Sequence, residues 1–188
     1  MYTAIYLKKL PKIPKDIINY SLDMDNFFYG GKPSRILTKN KKNFSAGLNR
    51  RQELNKELEN WLRKNIICDW QDAGYSRTTG PCHGPHIDRA RFFTLQYVID
   101  PGGQNVSTVF YRAKTQKLDI EPGWFYINNY DEIEPIEHQF IPKDVWVLIN
   151  ARNHIHSVEN IEGVRVSVQI GLMKDPMEDI LSLQTRNY

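Results

Sequence analysis

The sequence predicts a mainly β protein with flanking helices: an antiparallel sandwich or small barrel whose one outer face is covered by helical segments. Three observations carry this. From Cys68 onward the apolar pattern has a period of two, in short runs separated by turn residues. Upstream, NRRQELNKELENWLRKNI places Leu54, Leu58, Trp61, Leu62 and Ile66 on a single helical stripe. The helical segments come first and the strands follow, and a sheet-on-sheet core shielded by helices on one side uses every apolar stripe in the chain.

Taken in order, residues 14–24 read as a short helix, with Pro14 in its first turn and Ile17, Ile18 and Leu22 on one side. A loop rich in Lys and Gly follows through Gly47, then the long helix. The strands are RFFTLQYVID, ending at Pro101-Gly102-Gly103, then NVSTVFYRA, GWFYINNY, VWVLIN and, after the turn NIEG, VRVSVQIGLM. The tail DPMEDILSLQ reads as a closing helix, with Asp175 as N-cap, Pro176 at the first helical position and Glu178 completing a capping box. One domain is expected: a helical part over 1–67, a strand-rich core over 68–173 and a carboxy-terminal helix over 174–188.

Composition narrows the function classes. A chain of 188 residues builds one core of ordinary size. Its 40% hydrophobic and 12% aromatic content exclude a disordered or fibrous protein. A net charge of +3 is too small to name a partner, and the basic run over residues 32–42 reads as a solvated loop, not a nucleic-acid surface. Neither a long apolar amino-terminal region nor a bilayer-length apolar segment is present, so a cytoplasmic protein without a membrane partner is expected. Cys68 and Cys82 read as two reduced thiols.

The chemistry concentrates in PCHGPHID, residues 81–88. His86 and Asp88, two apart on an extended segment, point to one side and can reach a single ion together. A third donor is available in VWVLINARNHIHSV, where His154 and His156 share a face. Two imidazoles and a carboxylate on one side of a metal leave the opposite positions open, as non-haem iron(II) oxygenases require. Alone, His-x-Asp is a weak signal, and a solvated turn is its bland reading. A zinc site from Cys82, His83, His86 and Asp88 crowds four ligands into seven positions, and a Cys82 nucleophile with His83 as base lacks an orienting third group. Arg165 and Ser167 lie on one side of the last strand, opposite Val164, Val166, Val168 and Ile170. Such an arginine either faces water or serves as a bidentate receptor for a carboxylate.

Together, His86-Ile-Asp88, His156 in VWVLINARNHIHSV and Arg165-Val-Ser167 in GVRVSVQIG resemble the iron(II)- and 2-oxoglutarate-dependent oxygenases of the double-stranded β-helix (jelly-roll, cupin-like) fold, within them the prolyl 4-hydroxylase-like group. The resemblance covers about residues 70–172. It implies that His86, Asp88 and His156 ligate Fe(II), His156 being preferred to His154 because Ser157 and Val158 follow it. It implies further that Arg165, assisted by Ser167, binds the distal carboxylate of 2-oxoglutarate, and it points to Tyr97 and Tyr75 as further contacts to that cosubstrate. His83 and His138 are read as surface residues or as neighbours of the ligands.

With Asp88 present, the resemblance implies hydroxylation of a C–H bond, with O2 as the oxidant. The substrate it suggests is a peptide or protein side chain, proline above all; a free amino acid or small metabolite is the alternative. A non-catalytic jelly-roll binding module is the competing class, and it would have no reason to keep the full donor set and Arg165.

Overall fold

The computed structural model describes residues 2–21, 35–66, 69–115, 118 and 125–174. Its strands are β1 (Ala4–Tyr6), β2 (Ile36–Lys39), β3 (Lys42–Ser45), β4 (Asn49–Gln52), β5 (Trp70–Thr79), β6 (His83–His86), β7 (Phe93–Asp100), β8 (Ser107–Ala113), β9 (Ile133–Gln139), β10 (Trp146–Ile149), β11 (Ile155–Glu159) and β12 (Val164–Leu172). The α-helix among these residues, α1, spans Lys56–Asn65. The protein is therefore mainly β. Every strand pair is antiparallel: a six-stranded sheet runs β1-β10-β7-β12-β5-β4, a four-stranded sheet β6-β11-β8-β9, and β2 and β3 form a separate hairpin.

Three apolar clusters divide the work. The largest lies outside the six-stranded sheet, where Leu58, Leu62 and Ile66 pack with Leu7, Ile13 and Ile17 onto Tyr75, Leu95, Tyr97, Val168 and Ile170. A second lies outside the four-stranded sheet, where Leu37 of the hairpin meets Val109, Tyr111 and Ile155. Between the sheets there is a smaller cluster of Val98, Phe110, Val147 and Ile149. The rest of the space between the sheets is polar.

Among the described residues, the amino-terminal helical layer expected from the sequence comprises α1 and one 3-10 turn. Over residues 14–21 only Lys15–Ile17 turns, because Ile18 is already extended (ψ 106°); Leu22 and the rest of that expected helix lie outside the described residues. The long helix begins later than its pattern suggests. Asn55 accepts the Leu58 N–H at 2.8 Å and caps α1 there, while the residues before it form β4 and pair with β5, Asn49 opposite Thr78 and Gln52 opposite Tyr75.

The basic segment expected as loop supplies the hairpin, Ile36 opposite Ser45. GWFYINNY is not a strand over its described residues: Phe125 has a left-handed φ of 55°, Tyr126 and Asn129 make only isolated bridges, and Tyr130 starts a 3-10 turn. The other expected strands form as β7, β8, β10 and β12. The closing helix and Cys68 lie outside the described residues. Among the described residues no helix is long and apolar enough to cross a membrane.

Candidate metal and cosubstrate site

His86 ends β6, and β11 pairs with β6 so that His156 stands directly opposite His86. Strand pairing thus brings residues seventy apart in sequence to ring centroids 4.3 Å apart. Asp88 lies just past the end of β6, its N–H donating to the Ala151 carbonyl at 3.0 Å. One donor atom from each of His86, Asp88 and His156 falls within 4.8 Å of the other two.

The hydrogen bonds around these side chains leave one nitrogen of each ring available. His86 Nδ1 lies 2.9 Å from the Gly84 carbonyl and His156 Nδ1 lies 3.0 Å from the His154 carbonyl. A carbonyl only accepts, so each Nδ1 carries the proton and each Nε2 is left with a lone pair, the arrangement that orients imidazole ligands at metal sites. Burial, then the neighbouring His86, lowers the pKa of His156 to about 4, so its ring is neutral at pH 7. For Asp88, burial opposes ionisation, but the Arg91 charge outweighs it and holds the carboxyl well below the usual range. One carboxylate oxygen, Oδ1, faces His86 Nε2 at 3.5 Å; the other, Oδ2, accepts from Arg91 Nε at 2.8 Å and Thr94 Oγ1 at 3.1 Å. Two imidazoles and an ionised carboxylate are a donor set suited to a divalent ion such as Fe(II).

Arg165 is the second chemical feature. It sits on the inward side of β12 with Ser167 and Gln169, while Val166, Val168 and Ile170 point to the outer core. The Arg165 side chain is 2% exposed, and its Nε, Nη1 and Nη2 all lack hydrogen-bond partners among the described residues. Burial alone pulls its pKa down to about 10, so it is charged at pH 7. An unpaired buried guanidinium costs several kcal/mol, on the order of a broken buried ion pair. The site therefore fits an anion that is not part of the protein. Ser167 Oγ, two residues on, accepts from Gln96 Nε2 at 3.0 Å.

The structure separates the other expected site residues from this face. Tyr97 packs on Trp146 with its hydroxyl 3.3 Å from Asp144 Oδ1, and Tyr75 receives the Asn19 N–H at 3.0 Å; both belong to the outer core. Strand alternation turns both to the opposite side of the sheet from Gln96 and Ser76. His154 stays outside the donor cluster and faces Phe110 edge-on. His138 is exposed on β9. His83 lies beside the ligands, its ring 4.3 Å from His86 and bonded to Asn49 and the Tyr126 hydroxyl. Cys82 is buried near Tyr130 in the outer cluster, and burial pushes its thiol up to about 11, which leaves it neither a nucleophile nor a donor to this site.

The sequence reading passed over Arg91, Thr94 and Gln96. Their signal was present: Thr94 and Gln96 alternate with Leu95 and Tyr97, and Arg91 follows Asp88 by three.

Among solved structures the chain is slightly similar to an oxidoreductase of the 2OG-Fe(II) oxygenase family from Burkholderia pseudomallei, with 11% identity, 75% of each chain covered and a TM-score of 0.42. It is also similar to ycfD of E. coli, with 15% identity, 99% of this chain and 56% of that one covered and a TM-score of 0.47, so it spans about half of that protein's length. A third similarity, to CapF solved with the inhibitor 3-isopropenyl-tropolone, has 14% identity, covers 79% of this chain and 33% of that one, and has a TM-score of 0.26. No protein-family profile and no curated protein matches the sequence.

Proposed function

We propose that the protein is an Fe(II)- and 2-oxoglutarate-dependent dioxygenase that hydroxylates a C–H bond, built on a double-stranded β-helix core like that of the prolyl 4-hydroxylase-like group. The observation that carries this reading is the pairing of the His86–Asp88–His156 donor cluster with a buried, charged Arg165 that has no hydrogen-bond partner among the described residues, on the same interior of the sandwich.

In this reading His86 Nε2, His156 Nε2 and Asp88 Oδ1 hold the ion from one side, and Arg165 takes the distal carboxylate of 2-oxoglutarate through paired N–H donors. Ser167 presents its hydroxyl beside that carboxylate, oriented by Gln96. Thr94 and Arg91 fix the Asp88 carboxylate so that Oδ1 is the oxygen turned toward His86. When bound, iron and 2-oxoglutarate supply the oxidising chemistry with O2, yielding succinate, carbon dioxide and a hydroxylated product. The chain's own part is to position these groups and to keep the chamber shaped and closed to water. It needs no acid–base pair for the transfer.

The reading is tested by supplying Fe(II), 2-oxoglutarate and O2 and following succinate together with a 16-dalton mass gain on a screened substrate. Succinate formation that needs iron and stops with His156→Ala is the expected result. A protein that binds no iron and releases no succinate above the protein-free background would instead be a binding module that retains the fold.

A further inference from the structure

The chamber holds more cationic chemistry than the metal and cosubstrate need. A cavity of about 920 Å³ opens from the donor cluster toward β4, the β5 entry and α1, within the size range of small-molecule sites. Arg51 and Arg91 both line it beside Asp88.

The sheet makes room for these two side chains at specific positions. On β12 and β5, Gly171 stands opposite Asp72 and Gln169 opposite Gly74, all on the inward face. A Cβ on Gly171 would lie 1.9 Å from Asp72 Oδ1 and 3.1 Å from Arg91 Cδ; on Gly74 it would lie 2.9 Å from the Gln52 carbonyl and 3.4 Å from Arg51 Nη2. Two neighbouring strands thus omit side chains where the stem of Arg91 and the guanidinium of Arg51 pass into the cavity.

The charges there are incompletely matched. Arg51 Nη1 bonds Asp72 Oδ2 at 2.7 Å, but that carboxylate is half exposed. Arg91 gives Nε to Asp88, and its buried Nη1 has no hydrogen-bond partner among the described residues. The two cations are close enough to oppose one another: burial, then the charge of Arg91, lowers the pKa of Arg51. Asp88 is also a candidate metal ligand, so an ion drawing on its charge leaves Arg91 less compensated still. A neutral peptide segment offers two adjacent guanidinium forks carbonyl acceptors but no compensating charge, whereas a carboxylate matches them in charge and planarity.

The geometry points to a small substrate that carries a carboxylate, held by Arg51 and Arg91 at the cavity wall so that its reacting C–H faces the donor cluster. This inference rests on the dioxygenase reading and deepens it by naming the substrate class. Asp72, next to Arg51 and half exposed, is placed to receive an ammonium group, which makes free α-amino acids the first probes.

The test uses the full chain loaded with Mn(II) and 2-oxoglutarate, titrated with the proteinogenic L-amino acids, their carboxamides and amino- and carboxy-capped proline peptides, with binding read by ligand-observed NMR. At least one free acid is expected to bind, with its carboxamide at least tenfold weaker. Arg51→Gln is expected to weaken that acid at least tenfold while Mn(II) and 2-oxoglutarate affinities stay within twofold, and Arg51→Lys should recover part of the loss. Carboxamides or capped peptides binding as well as the acids, no acid binding at all, or an acid indifferent to Arg51→Gln would overturn the inference. Failure of Mn(II) and 2-oxoglutarate themselves to bind would strike the dioxygenase reading. The acid–carboxamide comparison is made on the unaltered protein and stands even if a variant fails to fold.

Discussion

On β7, Leu95 and Tyr97 enter the apolar core beneath α1, while their immediate neighbours Thr94 and Gln96 face the four-stranded sheet and line the cavity. β12 repeats the pattern, with Val166, Val168 and Ile170 on one side and Arg165, Ser167 and Gln169 on the other. The larger apolar core of this sandwich therefore lies outside its main sheet, and part of the interior is given over to polar groups. Stability and chemistry occupy opposite sides of the same strands. A buried guanidinium is tolerated on the inner side because the outer side supplies the burial energy, roughly 1.5–3 kcal/mol for each large aliphatic side chain taken fully from water.

This contrast predicts that substitutions on the two faces separate function from stability. Arg165→Met gives the largest effect: 2-oxoglutarate affinity falls by about a hundredfold, the equivalent of a lost charge-assisted pair. Stability of the cosubstrate-free protein should rise by about 1–3 kcal/mol, because an unpaired buried charge is removed. Calorimetry and urea unfolding read the two arms, and a destabilised variant with normal 2-oxoglutarate binding would break the contrast.

A smaller effect sharpens it at adjacent positions. Gln96→Leu removes the donor to Ser167 and should raise the 2-oxoglutarate requirement several-fold with little loss of stability. Tyr97→Phe removes the hydroxyl's bonds to Asp144 and to the Ile13 backbone, worth about 1 kcal/mol each, and should leave kinetics unchanged. The reverse outcome would return Tyr97 to the cosubstrate.

The last effect is one of pH. His156 has a folded pKa of about 4 against an ordinary 6.5, so between these values the unfolded chain binds a proton that the folded chain refuses. Stability of the metal-free protein must then fall as pH drops from 6.5 toward 4, by at most about 1.4 kcal/mol per pH unit from this group. His83, also lowered by burial and then by His86, acts in the same direction. Asp88, held ionised in the folded chain, adds to the same fall only at the bottom of this window, where the unfolded carboxyl protonates near its ordinary value of 3.8. Urea midpoints measured against pH should show the slope, and His156→Gln should reduce it.

The sequence made the long alternating strands legible, because β7, β8, β10 and β12 carry apolar residues in runs that no helix period fits. It also placed Arg165 and Ser167 on a face opposite the valines. Several strands absent from that expectation have no such pattern: HGPH of β6, NRRQ of β4 and IEPIEHQ of β9 are sheet edges specified by their partners, and WQDAGYSRTT of β5, though interior, carries Asp, Gly and Ser where an apolar run would mark a strand. Tyr97 is named by the resemblance, whereas the alternation that assigned Ser167 puts it on the outer side of β7 with Leu95. That His156 stands across from His86 depends on the register of β11 against β6, which no local pattern encodes.

The most direct test is an anaerobic titration of Fe(II) into the metal-free protein and into His156→Ala, with 2-oxoglutarate present and bound metal counted. One ion per chain in the unaltered protein, lost in the variant while urea unfolding remains cooperative, is what a His86–Asp88–His156 centre predicts. An unaltered protein that takes up no iron, or a variant that binds it equally well, would contradict a metal centre on the inner face of this sandwich.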